Sequence, residues 1–251
     1  MDIFKANPGA RRGPLPAEDK VRIPLTPEEK AMCVAGTRVP RMSDLTWRIF
    51  RIMSEFVEGF QFLSTTNREV SIFGSARLQP GTHWYQVAVD LGKLLGEDGF
   101  TVITGGGPGI MEAANKGAFE VGAPSVGLNI QLPLEQRTNS FVTRSHAFHY
   151  FFTRKVMLAA SAQAYVYFPG GYGTLDELFE ILTLIQTAKS EAVPVVLVGH
   201  EYWDGLVEWL DKTLYGGFDT INRADLKIFQ VVDTAAEAYE IVRKSDERTF
   251  F

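Results

Sequence analysis

Apolar residues along this chain change their spacing twice, and the changes mark out its elements. From Ser43 to about Leu63 they recur at three and four residues (Leu45, Ile49, Ile52, Met53, Phe56, Phe60), which predicts an amphipathic helix capped by Ser43. Past residue 68 the pattern shortens into runs that are apolar on both sides of the chain, at 70–75, 100–104, 125–130, 164–168 and 193–198. Residues 141–143 and 227–232 are shorter candidates for strands. Helical spacing returns between these runs, near 84–97, after Gly109 with Ile110, Met111, Ala114 and Ala118 facing inward, and at 150–160, 175–188, 202–214 and 234–243.

Strands that are apolar on both sides and alternate with helices belong to a parallel sheet covered on both faces. The expected fold class is therefore α/β: a doubly wound, mostly parallel, Rossmann-like sheet with helices on both faces, plus an N-terminal helical extension. Residues 1–40 read as an extended arm, since they hold six of the twelve prolines (Pro8, Pro14, Pro16, Pro24, Pro27, Pro40). The N-terminal helix is expected over 41–67 and the Rossmann-like domain over 68–251.

Three glycine turns fall at strand ends, Gly74-Ser75, Gly105 to Gly109 and Gly170 to Gly173. In such sheets ligands bind beyond the carboxyl ends of the strands, so Ser75, Gly106 and Gly107 become candidate contacts with those of the third loop. That third loop, Pro169-Gly170-Gly171-Tyr172-Gly173-Thr174, precedes a helix with Glu177 expected in its first turn. Glycines let backbone come close to a ligand, and a helix start offers unpaired N–H groups to a phosphate. Thr174 and Glu177 also have the spacing of a capping box, which would tie down the helix start and do nothing else.

Two familiar nucleotide fingerprints fail. G-x-G-x-x-G breaks at Ile110 and at Asp176, and G-x-x-x-x-G-K-[ST] is absent. Phe151-Phe152-Thr153-Arg154-Lys155 sets two cations inside an apolar, aromatic helix, where a buried guanidinium needs an anion. Arg154 therefore pairs a structural carboxylate, a ligand phosphate or Glu177. The helix at 175–188 is apolar on two sides, which predicts one face on the sheet and one on another subunit, with Glu177 near that interface. His146 and His149 share a helical spacing, but four histidines offer no third ligand, so no metal site is expected.

Composition narrows the class further. A single cysteine, Cys33, excludes an internal disulfide or a cysteine zinc site. No apolar run approaches a membrane span and the N-terminal stretch lacks the compact apolar core of a signal peptide, so a cytoplasmic protein without membrane contact is the default expectation. A net charge of −5 argues against a broad nucleic-acid surface.

Pro169-Gly170-Gly171-Tyr172-Gly173-Thr174-Leu175-Asp176-Glu177 resembles the P-G-G-x-G-T-x-x-E signature of the Lonely guy (LOG) family, the cytokinin riboside 5′-monophosphate phosphoribohydrolases. Thr153-Arg154-Lys155 resembles that family's second motif, and Gly105-Gly106-Gly107 also agrees. The resemblance covers roughly 68 to 200. It implies a Rossmann-like homodimer or higher oligomer that hydrolyses the N-glycosidic bond of AMP or an N6-modified AMP to free base and ribose 5-phosphate, without a cofactor. It implies Arg154 and Glu177 as the catalytic pair. As substrate contacts it implies Lys155, Gly170, Gly171, Tyr172, Gly173, Thr174, Asp176, Thr183 and, after Leu132-Pro133-Leu134, Glu135. Two departures, the long N-terminal part and the run Pro108-Gly109-Ile110-Met111-Glu112, bear on the base rather than on the phosphate. The alternative is a non-catalytic nucleotide or molybdenum-cofactor carrier, which does not need the Arg154 and Glu177 pair.

Overall fold

The sheet grows outward in both directions from β1 (Glu69–Phe73). On one side lie β2 (Thr101–Thr104), β3 (Ser125–Ile130) and β4 (Arg144–Phe148); on the other lie β5 (Ala164–Tyr167), β6 (Val195–Val198) and β7 (Phe229–Val232). The order is β4-β3-β2-β1-β5-β6-β7, and every pairing among the described residues is parallel. The computed structural model describes residues 42–131 and 138–247. The chain divides into two compact units, Met1–Arg48 and Ile49–Phe251. The expected arm, with Cys33, lies outside the described residues. Helix α1 (Met42–Leu63) already contains Ser43, so the expected cap sits one residue inside it.

Helices α2 (His83–Glu97), α3 (Ile110–Glu120) and α7 (Ala235–Val242) cover one face of the sheet. The C-terminal part of α1 covers the other with α4 (Phe151–Ala160), α5 (Tyr172–Gln186) and α6 (His200–Trp209). The central strands are buried along their whole length because both faces are covered. Helices α2 and α3 come close because both carry glycine at the contact: a Cβ on Gly92 would stand 2.3 Å from the Ala114 carbonyl oxygen, and one on Gly117 2.1 Å from that of Val89. Among the described residues no helix is long and apolar enough to cross a membrane.

Three expectations need correction. The strand expected at 141–143 is displaced to Arg144–Phe148. Residues 141–143 instead follow a turn made by Asn139, whose side-chain oxygen accepts the Phe141 N–H at 3.1 Å. As an edge strand β4 leaves Arg144, Ser145 and Ala147 exposed, so no apolar run marks it. His146 and His149 do not share a helix: His146 lies in β4, its ring 4.6 Å from that of Phe148, and His149 follows the strand. Thr174 and Glu177 do not form a capping box, because α5 starts at Tyr172 with Gly171 as its N-cap and no side-chain cap. The same pattern is realised elsewhere, at Thr234 and Glu237 ahead of α7.

Candidate active site

A cavity of about 1310 Å³ opens at the carboxyl ends of β1 and β5, where the direction of chain winding reverses. This is the position at which doubly wound sheets leave a crevice. Three loops meet there around Ser75. Its N–H donates to the Pro169 carbonyl at 3.0 Å, and its own carbonyl accepts the Ile110 N–H at 3.1 Å. Gly109, at φ 72°, leaves no room for a side chain, since a Cβ would lie 2.3 Å from that same carbonyl.

The loop after β5 has two kinds of glycine. A Cβ on Gly170 would stand 2.0 Å from Thr174 Oγ1, so this glycine serves packing within the loop. A Cβ on Gly171 or Gly173 would meet nothing within 4 Å. Those two keep the backbone bare where it faces open space. The loop is braced from α6 by Tyr202, whose hydroxyl donates to the Gly170 carbonyl at 2.5 Å. The uncapped first turn of α5 then presents N–H groups and the positive end of the helix dipole.

Glu177 lies in the second turn of α5, not the first, because the helix begins three residues earlier than expected. It is 8% exposed, on the side of α5 that also buries Leu178 and Ile181. The helix therefore turns Glu177 inward, and leaves Asp176 and Phe179 exposed. Burial pushes the Glu177 carboxyl up to about 7; Lys155 and Arg154 oppose the rise, while Glu180 and Asp176 add to it. The backbone there is anchored by Tyr167, whose buried hydroxyl donates to the Glu177 carbonyl at 3.2 Å.

Arg154 comes into the same cavity from α4. Burial lowers its pKa, with Glu177 pulling the other way, and no ion pair joins the two among the described residues. Its Nε is buried without a hydrogen-bond partner among the described residues, and Nη1 would lie 3.8 Å from a Cβ on Gly105. Lys155, the next residue, is committed elsewhere. Its ammonium lies 2.5 Å from Asp176 Oδ2 and 3.2 Å from Glu180 Oε2, tying α4 to α5. Burial would lower its pKa, but Asp176, Glu177 and Glu180 together hold it above the usual value.

Of the residues expected from sequence, Arg154, Lys155, Ser75, the stretch Gly170 to Thr174, Asp176 and Glu177 line this one cavity. Gly106, Gly107 and Thr183 are not among its lining residues. Gly106, at φ 71°, packs against the buried Asn129, and the Gly107 carbonyl accepts from Asn139 at 3.0 Å. The Thr183 hydroxyl donates within its own helix to the Phe179 carbonyl at 2.6 Å. Glu135 lies outside the described residues. Arg77 and Tyr202 line the cavity without having been singled out. Arg77 had a signal, a cation two residues after a strand-ending Gly-Ser. Tyr202 had none, because only the fold brings α6 to the glycine loop. Among the described residues no group of three or more metal-binding side chains is close enough to hold an ion.

An ionisable carboxyl near neutrality, a buried cation without a carboxylate partner among the described residues and a bare glycine loop make up a site that can hold an anion and move a proton. The family model described as possible lysine decarboxylase matches residues 111–242. The cytokinin riboside 5′-monophosphate phosphoribohydrolase LOG4 of Arabidopsis thaliana is 28% identical over 71% of this chain and 81% of its own. A probable enzyme of the same name from Oryza sativa subsp. japonica is 30% identical over 68% and 74%. A bacterial relative so named, from Rhodococcoides fascians, is 27% identical over 62% and 80%. Among solved structures, the molybdenum cofactor carrier protein of Chlamydomonas reinhardtii superposes with a TM-score of 0.53 at 22% identity, over 70% of this chain and 96% of that one. The molybdenum cofactor binding protein of Rippkaea orientalis gives 0.52 at 18%, over 70% and 93%. At these identities the structural likeness speaks for the fold alone.

Proposed function

We propose that this chain, which belongs to the family described as possible lysine decarboxylase, hydrolyses the N-glycosidic bond of a purine nucleoside 5′-monophosphate, AMP or an N6-modified AMP. The relatives named as phosphoribohydrolases support a glycosidase-type enzyme. The observation that carries the reading is the meeting of Glu177 and Arg154 in one cavity with the bare glycine loop.

In this reading the phosphate lies at the start of α5, against Gly171, Gly173 and Ser75. Departure of the base leaves positive charge on the ribose, as in glycoside hydrolysis. Water adds its oxygen to C1′ as the C1′–N bond breaks, and the electron pair leaves with the base. Glu177 takes the proton from that water, and the net reaction delivers one proton to the departing base nitrogen. A carboxyl that titrates about 7 is suited to both states at neutral pH. Arg154 holds the phosphate or orients Glu177, whereas Lys155 acts by fixing α4 against α5.

The direct test is incubation with AMP and with isopentenyladenosine monophosphate, followed by an assay for ribose 5-phosphate. Release by the native chain, and none by Glu177→Gln, supports the reading; no release above that variant from any nucleotide overturns it. Tight binding of a pterin without turnover would favour a carrier instead.

We also infer a homodimer with the site near the interface. Exposed Phe151 and Phe152 of α4 line the cavity, so a second copy seated on them would meet the site. Ile49, Met53 and Val57 of α1 are also exposed apolar residues. Light scattering on the full chain checks this, and a monomer at micromolar concentration would refute it.

A further inference from the structure

We infer that Glu55, on α1 and outside the residues matched by the family model, is a positioning residue for Arg154; the inference rests on the function proposed above. Glu55 is only 7% exposed, and a carboxylate so placed needs partners. It finds three, all at the start of α4. Oε1 accepts the His149 N–H at 2.9 Å. Oε2 accepts the Tyr150 N–H at 3.3 Å and the Thr153 hydroxyl at 2.6 Å.

Helix α4 needs this help. Its N-cap is Tyr150, which makes no side-chain cap. The acceptor that its own sequence lacks arrives from another helix, more than ninety residues earlier in the chain. It brings a negative charge to the positive end of the helix dipole. Apolar packing holds α4 only weakly, since just Thr153, Met157 and Leu158 are buried while Phe151, Phe152 and Val156 are exposed. One further contact keeps α1 close: a Cβ on Gly59 would stand 2.7 Å from Met157 Sδ, so the two helices meet where glycine leaves room.

The register of α4 therefore depends on Glu55 at its start and on Lys155 further along. Arg154 follows Thr153 directly, in the turn that Glu55 holds. Glu55 does not line the cavity, so its influence passes through the backbone of that turn. A displacement of about an ångström at a catalytic group is enough to cost roughly a hundredfold in rate.

The test is a double-mutant cycle in the full chain, with Glu55→Gln, Arg154→Ala and both together, measuring kcat and KM for release of ribose 5-phosphate. Glutamine keeps one acceptor oxygen but turns an amide N–H₂ toward donors, so it loosens the turn without emptying the space. Expected is a fall in kcat of about tenfold for Glu55→Gln in the native background. In the Arg154→Ala background the fall should be less than about twofold, because coupled residues are non-additive. Equal losses in both backgrounds, or an unchanged kcat with only a lower melting temperature, would show a purely structural cap and overturn the inference.

A second readout needs no turnover. The NMR resonance of Arg154 Nε, assigned through Arg154→Ala, should shift in Glu55→Gln while that of Arg77 stays. An unmoved Arg154 resonance overturns the positioning role. A chain that shifts it but hydrolyses no nucleotide would refute the proposed activity and leave the positioning intact.

Discussion

The Lys155 ammonium lies 2.5 Å from the Asp176 carboxylate, and that bond fixes the helix carrying Arg154 against the helix carrying Glu177. With Glu180 at 3.2 Å as its second partner, Lys155 has its charge answered inside the protein. Replacement by Met should therefore loosen the site more than it unbinds phosphate. Stability is expected to fall by about 1–2 kcal/mol, between the values for surface and buried pairs, since Asp176 is largely exposed and Glu180 is not. Lys155 also holds the Glu177 pKa down. The pH midpoint of the rate should thus move to higher pH in Lys155→Met, and a profile identical to that of the native chain would refute the coupling.

Glu177 gives a pH signature in both rate and stability. In the proposed role of base it must be ionised, so kcat/KM should rise with pH through a midpoint near 7. Its folded pKa lies above the usual 4.5, so between those values the folded state binds the extra proton. Stability contributed by this group is then fully present below pH 4.5 and is lost as pH rises to about 7. The loss is of the order of 3 kcal/mol at most, by the conversion of roughly 1.4 kcal/mol per pH unit. Glu177→Gln should abolish the rise in rate and melt at a higher temperature than the native chain at pH 8, with the gap closing near pH 4.5. Thermal melts across that range, beside rate profiles, check both.

The two kinds of glycine in the third loop should separate on substitution. Gly170→Ala would drive a methyl into Thr174 and is expected to cost about 1–3 kcal/mol of stability. Gly171→Ala meets nothing, so its melting should stay within about 0.5 kcal/mol of native. Its KM for nucleotide should nevertheless rise roughly tenfold, equivalent to about 1.4 kcal/mol of lost binding. An unchanged KM in Gly171→Ala would remove the phosphate from that part of the loop.

Tyr202→Phe deletes a single donor and leaves the ring in place. The Gly170 carbonyl loses its partner, so stability is expected to fall by about 1 kcal/mol. A mobile glycine loop should raise KM while leaving the pH midpoint set by Glu177 unmoved. A shifted midpoint would mean that Tyr202 acts on the carboxyl and not on the loop.

Much of this arrangement was legible in the chain itself. Strands buried on both faces need continuous apolar runs, so β1, β2, β3, β5 and β6 announced themselves, and the glycine turns at their ends followed. Periodicity failed where burial failed: edge strand β4, exposed on one side, carried no apolar run, and the nearest apolar triplet was read in its place. It also misjudged the start of α5, because bare glycines that open toward the cavity carry no capping signal. The charge states belong to the tertiary structure alone. Whether Lys155 or Arg154 keeps a free cation depends on which carboxylates a neighbouring helix brings within reach, and local spacing holds no record of that. Glu55 makes the point most plainly, since its three partners lie more than ninety residues away and only the packing of α1 on α4 turns a mid-helix glutamate into the cap of another helix.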